Sequence, residues 1–129
     1  MMTKMPKFRA WDKFDKVMRD VTLLDYNQNF VGYSYPVFMK STMHMELMQA
    51  TGLKDKDGQE IFEGDILTDE GSELEDGWVY VSVISKDGMY YCQENNPHGI
   101  SGPLIDFIQC YSVAGNIYEN LELLENKEE

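Results

Sequence analysis

Apolar and polar positions along this chain change over in short runs, and most of those runs follow the two-residue period of strands instead of the 3.6-residue period of helices. The segment 78–85, WVYVSVIS, is dense in β-branched and aromatic residues. Lys86-Asp87-Gly88 turns it into a partner segment, MYYCQ, so a β-hairpin is predicted over residues 78–93. Val79, Val81 and Val83 alternate with Trp78, Tyr80 and Ile84, which puts apolar surface on both faces of that hairpin. Such a hairpin lies between a core and a second surface, and a subunit interface is one option.

Further toward the N-terminus, residues 7–18 predict a short strand, a polar turn at Asp12 to Asp15, and a second strand through about Leu24. Residues 25–36, DYNQNFVGYSYP, mix rings with Asn, Gly, Ser and Pro, and predict an irregular loop held by anchoring aromatics. In residues 43–49, Met43, Met45 and Leu47 alternate with His44 and Glu46, while Met43, Leu47 and Ala50 share a helical face after a Ser41 or Thr42 cap. The strand reading is preferred, with the methionines as adaptable core filler. Thr51-Gly52 is expected to end that element. Asp57-Gly58 marks a tight reversal, because this pair tolerates the positive φ angles of a hairpin turn. Gly64, between Ile61-Phe62 and Ile66-Leu67, suggests a bulge or a close backbone approach. Residues 69–77 carry five acidic groups and read as an exposed loop. Residues 94–103 read as a second irregular connection, Phe107–Val113 as a strand, and Asn116–Leu124 as a short terminal helix or turn. The expected architecture is mainly β, or α+β with little helix: short antiparallel strands and hairpins forming a small barrel-like domain.

Length and composition set the frame for that fold. The 129 residues suit one domain, read as spanning 1–129 with an N-terminal arm over 1–24 and a flexible tail over 125–129. A net charge of −12 repels phosphate backbones, so nucleic-acid binding is disfavoured. The cations of the first twenty residues, among them Lys13, Lys16 and Arg19, are interleaved with Asp12, Asp15 and Asp20 and build no basic patch. No apolar run is long enough for a membrane span or a signal peptide. Cys92 and Cys110, without a CxxC spacing, read as two buried thiols of a reducing cytoplasm.

Catalytic grammar is missing. There is no GxSxG, no phosphate-cradling glycine loop, no HExxH and no GxGxxG. His44 and His98 read as exposed or hydrogen-bonded structural histidines. Asp55 to Glu60 does not match a calcium loop, whose glycine is sixth, because Gly58 is fourth. Glu60, Glu63 and Asp65, with Asp55 or Asp57, would make a divalent-metal site only if their carboxylates converged. No residue is therefore offered as catalytic, cofactor-binding or metal-binding, and no cofactor is implied.

Three blocks carry a resemblance: Phe8-Arg9-Ala10-Trp11-Asp12, the stretch from Met48 through Gly52, Asp57-Gly58 and Gly64 to Ile66, and Gly115-Asn116-Ile117-Tyr118-Glu119-Asn120. In that order they resemble the YopX family of small phage and prophage proteins. The resemblance implies a phage or prophage origin, an intracellular accessory role and self-association into a homo-oligomer. It implies no activity and carries no functional role onto Trp11, Gly52, Gly58, Gly64 or Asn116. Those residues read as architecture: glycines for special backbone angles, Asn116 for a cap or turn, Trp11 as a core or interface ring.

Three functions follow as expectations. The first is a non-enzymatic interaction module that oligomerises and takes a phage or host protein partner in the cytoplasm. It draws on the aromatic-studded segment with Phe30, Tyr33, Tyr35 and Phe38. The second is an acidic mimic of DNA that inhibits a host nucleic-acid enzyme. The third is a metal-dependent hydrolase using the carboxylates near Glu60 to Asp65.

Overall fold

The computed structural model describes residues 7–33, 38–69, 79–95 and 98–125. The fold is mainly β, as expected, and the chain divides into two compact units, Met1–Ala50 and Thr51–Glu129.

In the first unit, β1 (Phe8–Asp12) and β2 (Val17–Asp25) form a hairpin across a turn closed by Lys16 N donating to Asp12 O at 2.7 Å. Lys16 takes the left-handed conformation that this turn requires (φ 59°). β3 (Phe30–Tyr33) and β4 (Phe38–Ser41) follow as antiparallel neighbours, and β5 (Met45–Lys54) returns to pair with β1 on its other side. The sheet has the order β4-β3-β2-β1-β5-β6, its last strand, β6 (Glu60–Phe62), coming from the second unit. β4 and β5 are consecutive in sequence and joined only by a 3-10 turn at Thr42–His44, yet three strands stand between them and they do not pair with each other. The five strands β4 to β5 therefore curl around a small core of Ala10, Val31, Tyr33 and Met45 without closing a barrel.

Two expectations change here. Residues 25–36 are not an irregular loop throughout, because Phe30–Tyr33 is β3. A turn capped by Gln28 N donating to Asp25 Oδ1, with Asn29 at φ 59°, reverses the chain in front of it. Tyr35 lies outside the described residues. Over 43–49 the strand reading holds from Met45 on, and the helical face over Met43, Leu47 and Ala50 does not form: Ser41 caps a single 3-10 turn at Thr42–His44 by accepting from Met43 N, and Leu47 and Ala50 lie in β5. Of the methionines there, Met45 and Met48 are buried and Met43 is exposed.

In the second unit, β5 does not stop at Thr51-Gly52. Gly52 adopts φ +85°, and Thr51 Oγ1 accepts from Leu53 N and donates to Ile61 O, so the strand continues to Lys54. The Asp57-Gly58 reversal is as expected, with Gly58 at φ +86°, and leads into β6 (Glu60–Phe62). β7 (Asp65–Thr68), β8 (Tyr80–Lys86), β9 (Met89–Glu94), β10 (Ser101–Pro103) and β11 (Ser112–Asn116) form an antiparallel sheet of order β10-β9-β8-β7-β11. The β8–β9 hairpin is the one expected, turning at Asp87 (φ 54°) and Gly88 (φ 79°). Its inward face, Val81, Val83 and Cys92, packs with Ile61, Leu67, Leu104 and Phe107 into the larger core. Residues 70–78, the bulk of the acidic loop, lie outside the described residues, as do most residues of the tail read at 125–129.

Phe107–Val113 is not a continuous strand. Residues 107–110 continue the 3-10 turn Leu104–Asp106 as turns, with Tyr111 N donating to Phe107 O at 3.0 Å. The two rings then meet edge to face at 5.1 Å. Apolar residues four apart matched a helical turn here better than a strand. Of the two thiols expected to be buried, only Cys92 is; Cys110 is exposed.

One carboxylate holds much of this unit in register. The buried Asp55 accepts from Asp57 N and Gln59 N through Oδ1 and from Val113 N through Oδ2, at 2.8–2.9 Å, so it shapes the hairpin turn and fastens β11 to it. Asp55→Ala leaves three backbone donors without this acceptor, and we expect a loss of about 2–4 kcal/mol in urea unfolding. The exposed neighbour change Asp57→Ala is expected to cost within about 0.5 kcal/mol.

Candidate functional site

Among the described residues, a network of four charged side chains lies in the first unit, around the β1–β2 turn. Asp12 has no exposed surface. Its Oδ1 accepts from the backbone N–H of Phe14 at 3.0 Å and of Asp15 at 2.9 Å. Its Oδ2 accepts from Lys40 Nζ at 2.7 Å and from Arg19 Nε at 3.3 Å. Lys40 and Arg19 also donate to Asp15 Oδ2, at 2.9 and 2.8 Å. Arg19 comes from β2 and Lys40 from β4, so one carboxylate ties together the turn and two further strands. Three strand spacings in a flat sheet would be about 14 Å, far beyond the reach of a lysine stem, and only the curl of the sheet brings Lys40 to Asp12.

Burial alone would raise the Asp12 carboxyl. The Asp15 and Phe14 N–H groups and the Lys40 ammonium outweigh it and hold the group down at about 2. Hydrogen bonds to Asp12 and Asp15 raise Lys40 in turn. Arg19 stacks over the Tyr33 ring with its guanidinium carbon 4.4 Å from the centroid, and Lys40 stands 5.5 Å from the Phe14 centroid.

What this frame holds up is apolar. Phe14 is 76% exposed although its own N–H is fixed by Asp12, and Met43, in the 3-10 turn, is 77% exposed. His44 meets Phe14 edge to face at 6.4 Å, and Lys13 N donates to His44 O at 2.8 Å, so the two turns are stitched into one tip. Lys16 stands exposed beside it, and Lys13 forms an exposed ion pair with Glu46 at 3.3 Å. A second apolar surface is an open groove of about 630 Å³ along β2, lined by residues that include Val21, Leu23, Leu24 and Tyr26. Its polar contribution is Lys7 and Thr22, and no set of reactive groups converges there.

The residues singled out from the sequence are placed differently. Asp55 and Asp65 are buried and committed to backbone N–H groups, Asp65 Oδ2 accepting from Phe62 N at 2.8 Å. Asp57 is exposed, and among the described residues no three His, Cys, Asp or Glu side chains gather where they would hold a metal ion. Gly64 turns β6 into β7 at φ +86°, donates to Val83 O and accepts from Ile117 N. Asn116 Oδ1 accepts from Tyr118 N and Glu119 N, the turn role expected of it. Trp11 is half-buried, Tyr33 is in the core, and His98 is exposed. Burial pushes the Cys92 thiol up to about 12, which leaves it inert at neutral pH. Among the described residues, no helix is long and apolar enough to cross a membrane. Phe14 and Met43 escaped the sequence reading because a ring inside a polar turn and a methionine in an alternating run look like local filler. The legible signal was Asp12 two residues ahead of Phe14, since an Asx turn directs the next side chains outward.

Compared with known proteins, residues 7–125 match the family model described as YopX protein. The chain is similar to the crystal structure of protein EF1440 from Enterococcus faecalis, at 33% identity and a TM-score of 0.66, covering 95% of this chain and 100% of that one. It is also similar in fold to protein yopX from Bacillus subtilis, at 20% identity and a TM-score of 0.61, covering 92% and 98%. No curated protein matches it.

The Asp12 network predicts a pH dependence. A carboxyl held at about 2 in the folded chain, against an ordinary 3.8, stabilises fully above about pH 4. That contribution disappears as pH falls through about 2. Lys40→Met removes one of the opposing cations, and the Asp12 carboxyl midpoint, followed by NMR, is expected to rise by about one unit. Acid unfolding of the variant then begins at a correspondingly higher pH.

Proposed function

The chain belongs to the YopX protein family, and on that premise we propose that it is a non-enzymatic, oligomerising protein-interaction module. In this reading it is an accessory protein of phage or prophage origin working in the host cytoplasm. One observation carries the reading: two large apolar side chains are presented to solvent on adjoining fixed turns, Phe14 on the turn held by the buried Asp12 carboxylate and Met43 on the 3-10 turn capped by Ser41 and joined to it through Lys13 N and His44 O. A flexible chain would fold such residues back onto itself. Here the entropy of ordering the contact residues is already spent in folding, the condition under which an exposed ring becomes a strong anchor. Asp12, Asp15, Arg19 and Lys40 beneath the tip are engaged with one another.

A second reading, the acidic mimic of DNA, is favoured by how the charge is distributed. Residues 51–129 hold 18 of the 23 acidic groups and four of the 11 basic ones. In that case the second unit occupies a basic groove of a host nucleic-acid enzyme, and the complex dissolves as salt rises, because such attraction is screened within ~8 Å at physiological ionic strength.

The two readings separate in sedimentation velocity. For the module, the wild-type chain self-associates, and Phe14→Ala with Met43→Ala weakens that association about 30-fold, roughly 2 kcal/mol. Thermal stability of the double variant stays within about 0.5 kcal/mol, since both side chains are exposed. A wild-type chain that remains monomeric at every attainable concentration overturns the oligomerising reading.

A further inference from the structure

The two units differ sharply in charge. Residues 1–50 contain seven Lys and Arg against five Asp and Glu, a net of +2, whereas residues 51–129 contain four against 18, a net of −14. When two copies approach, contact between their second units sets −14 against −14, and contact between their first units sets like sign against like. Only the first unit of one copy against the second unit of the other joins opposite signs, and attraction of that kind steers encounter and fixes orientation.

Local chemistry gives that pairing two faces. On the first unit, the tip offers Phe14 and Met43 with the exposed Lys16 at their edge. Around it Lys13, Lys16, Arg19 and Lys40 outnumber Asp12, Asp15 and Glu46. On the second unit, the 3-10 turn Leu121–Leu124 offers the reverse: Leu121, 55% exposed, lies between Glu119 and the exposed Glu122 and Glu125. Glu119 is engaged by Asn116 Nδ2, while Glu122 and Glu125 are exposed and make no side-chain hydrogen bond or ion pair among the described residues. The turn is held in place by Asn95 Nδ2 donating to Leu124 O at 3.1 Å. Apolar centre meets apolar centre, and cation meets carboxylate at the rim.

We infer that the chain self-associates head to tail, the Phe14–Met43 tip of one copy seating on the Leu121–Glu125 turn of a second copy. The inference rests on the interaction-module reading and names its partner surface. Such a contact is heterologous: the two participating patches are different, so every copy keeps one of each to offer.

That property supplies the test. One variant carries Phe14→Ala and Met43→Ala and has lost the tip. Another carries Leu121→Ser, Glu122→Gln and Glu125→Gln and has lost the turn. Each alone is expected to sediment as a monomer. Mixed in equal amounts they are expected to form a one-to-one dimer, because the first still offers its turn and the second its tip. Lys16→Glu, an exposed change that leaves the fold intact, is expected to weaken wild-type association at least tenfold. Glu122→Lys in the same chain is expected to restore it.

Four other outcomes overturn the inference. If wild type associates, the tip variant does not, and the mixture stays monomeric, the contact is tip to tip: head-to-tail association fails and the module reading stands. A tip variant that associates like wild type removes the tip from the interface. Lys16→Glu without effect, or without rescue, removes the charge pairing. A monomeric wild type sinks both the inference and the reading beneath it.

Discussion

A buried aspartate at a hairpin turn is the constraint on which each unit depends. Asp12 and Asp55 do the same thing in the two units. One carboxylate oxygen accepts backbone N–H groups from its own turn, and the other reaches across to an element distant in sequence: Lys40 on β4 for Asp12, and Val113 on β11 for Asp55. Taking a charge out of water is costly, and the cost is met only when several donors are aimed at it at once. The donors must therefore be in position for the carboxylate to be buried, and the carboxylate must be buried for them to stay there. In the first unit this reciprocity sets the curl of the sheet. In the second it sets the register of an edge strand.

The same economy bears on chemistry. Asp12, Asp15, Asp55, Asp65 and Asn116 are the residues a search for reactive groups would visit first, and all are engaged with turns, caps or cations. What the frame leaves outside is a ring, a thioether and a lysine. The ring and the thioether stand in solvent while the backbone beneath them is held by Asp12 and Ser41.

Legibility in the sequence followed the range of the interactions. The β8–β9 hairpin, the Asp57-Gly58 reversal and the first two strands were readable because turn chemistry and alternation act within a few residues. β3 was hidden because its strand formers, Phe30, Val31 and Tyr33, are interrupted by Gly32 and flanked by turn residues such as Asn27, Asn29 and Pro36; pairing on both sides, with β2 and β4, makes it a strand. Gly52 looked like an ending and is a passage, since Thr51 satisfies the backbone on either side of it. Residues 107–110 looked like a strand and are turns, because Phe107 and Tyr111 are paid in ring packing for sitting one helical turn apart. The tip was least legible. The carboxylate that fixes its turn is held in part by Lys40, which is 28 residues from Asp12 in sequence and adjacent only after the sheet has curled.

The two cysteines both fall in the second unit, one sealed in its core and one in contact with water. A thiol reagent would find Cys110 at once and Cys92 only during those moments when Val81, Val83 and their neighbours part. The slower reaction is thus an intrinsic clock for the breathing of one unit, running without any introduced label. The first unit, having no cysteine, stays silent in the same tube.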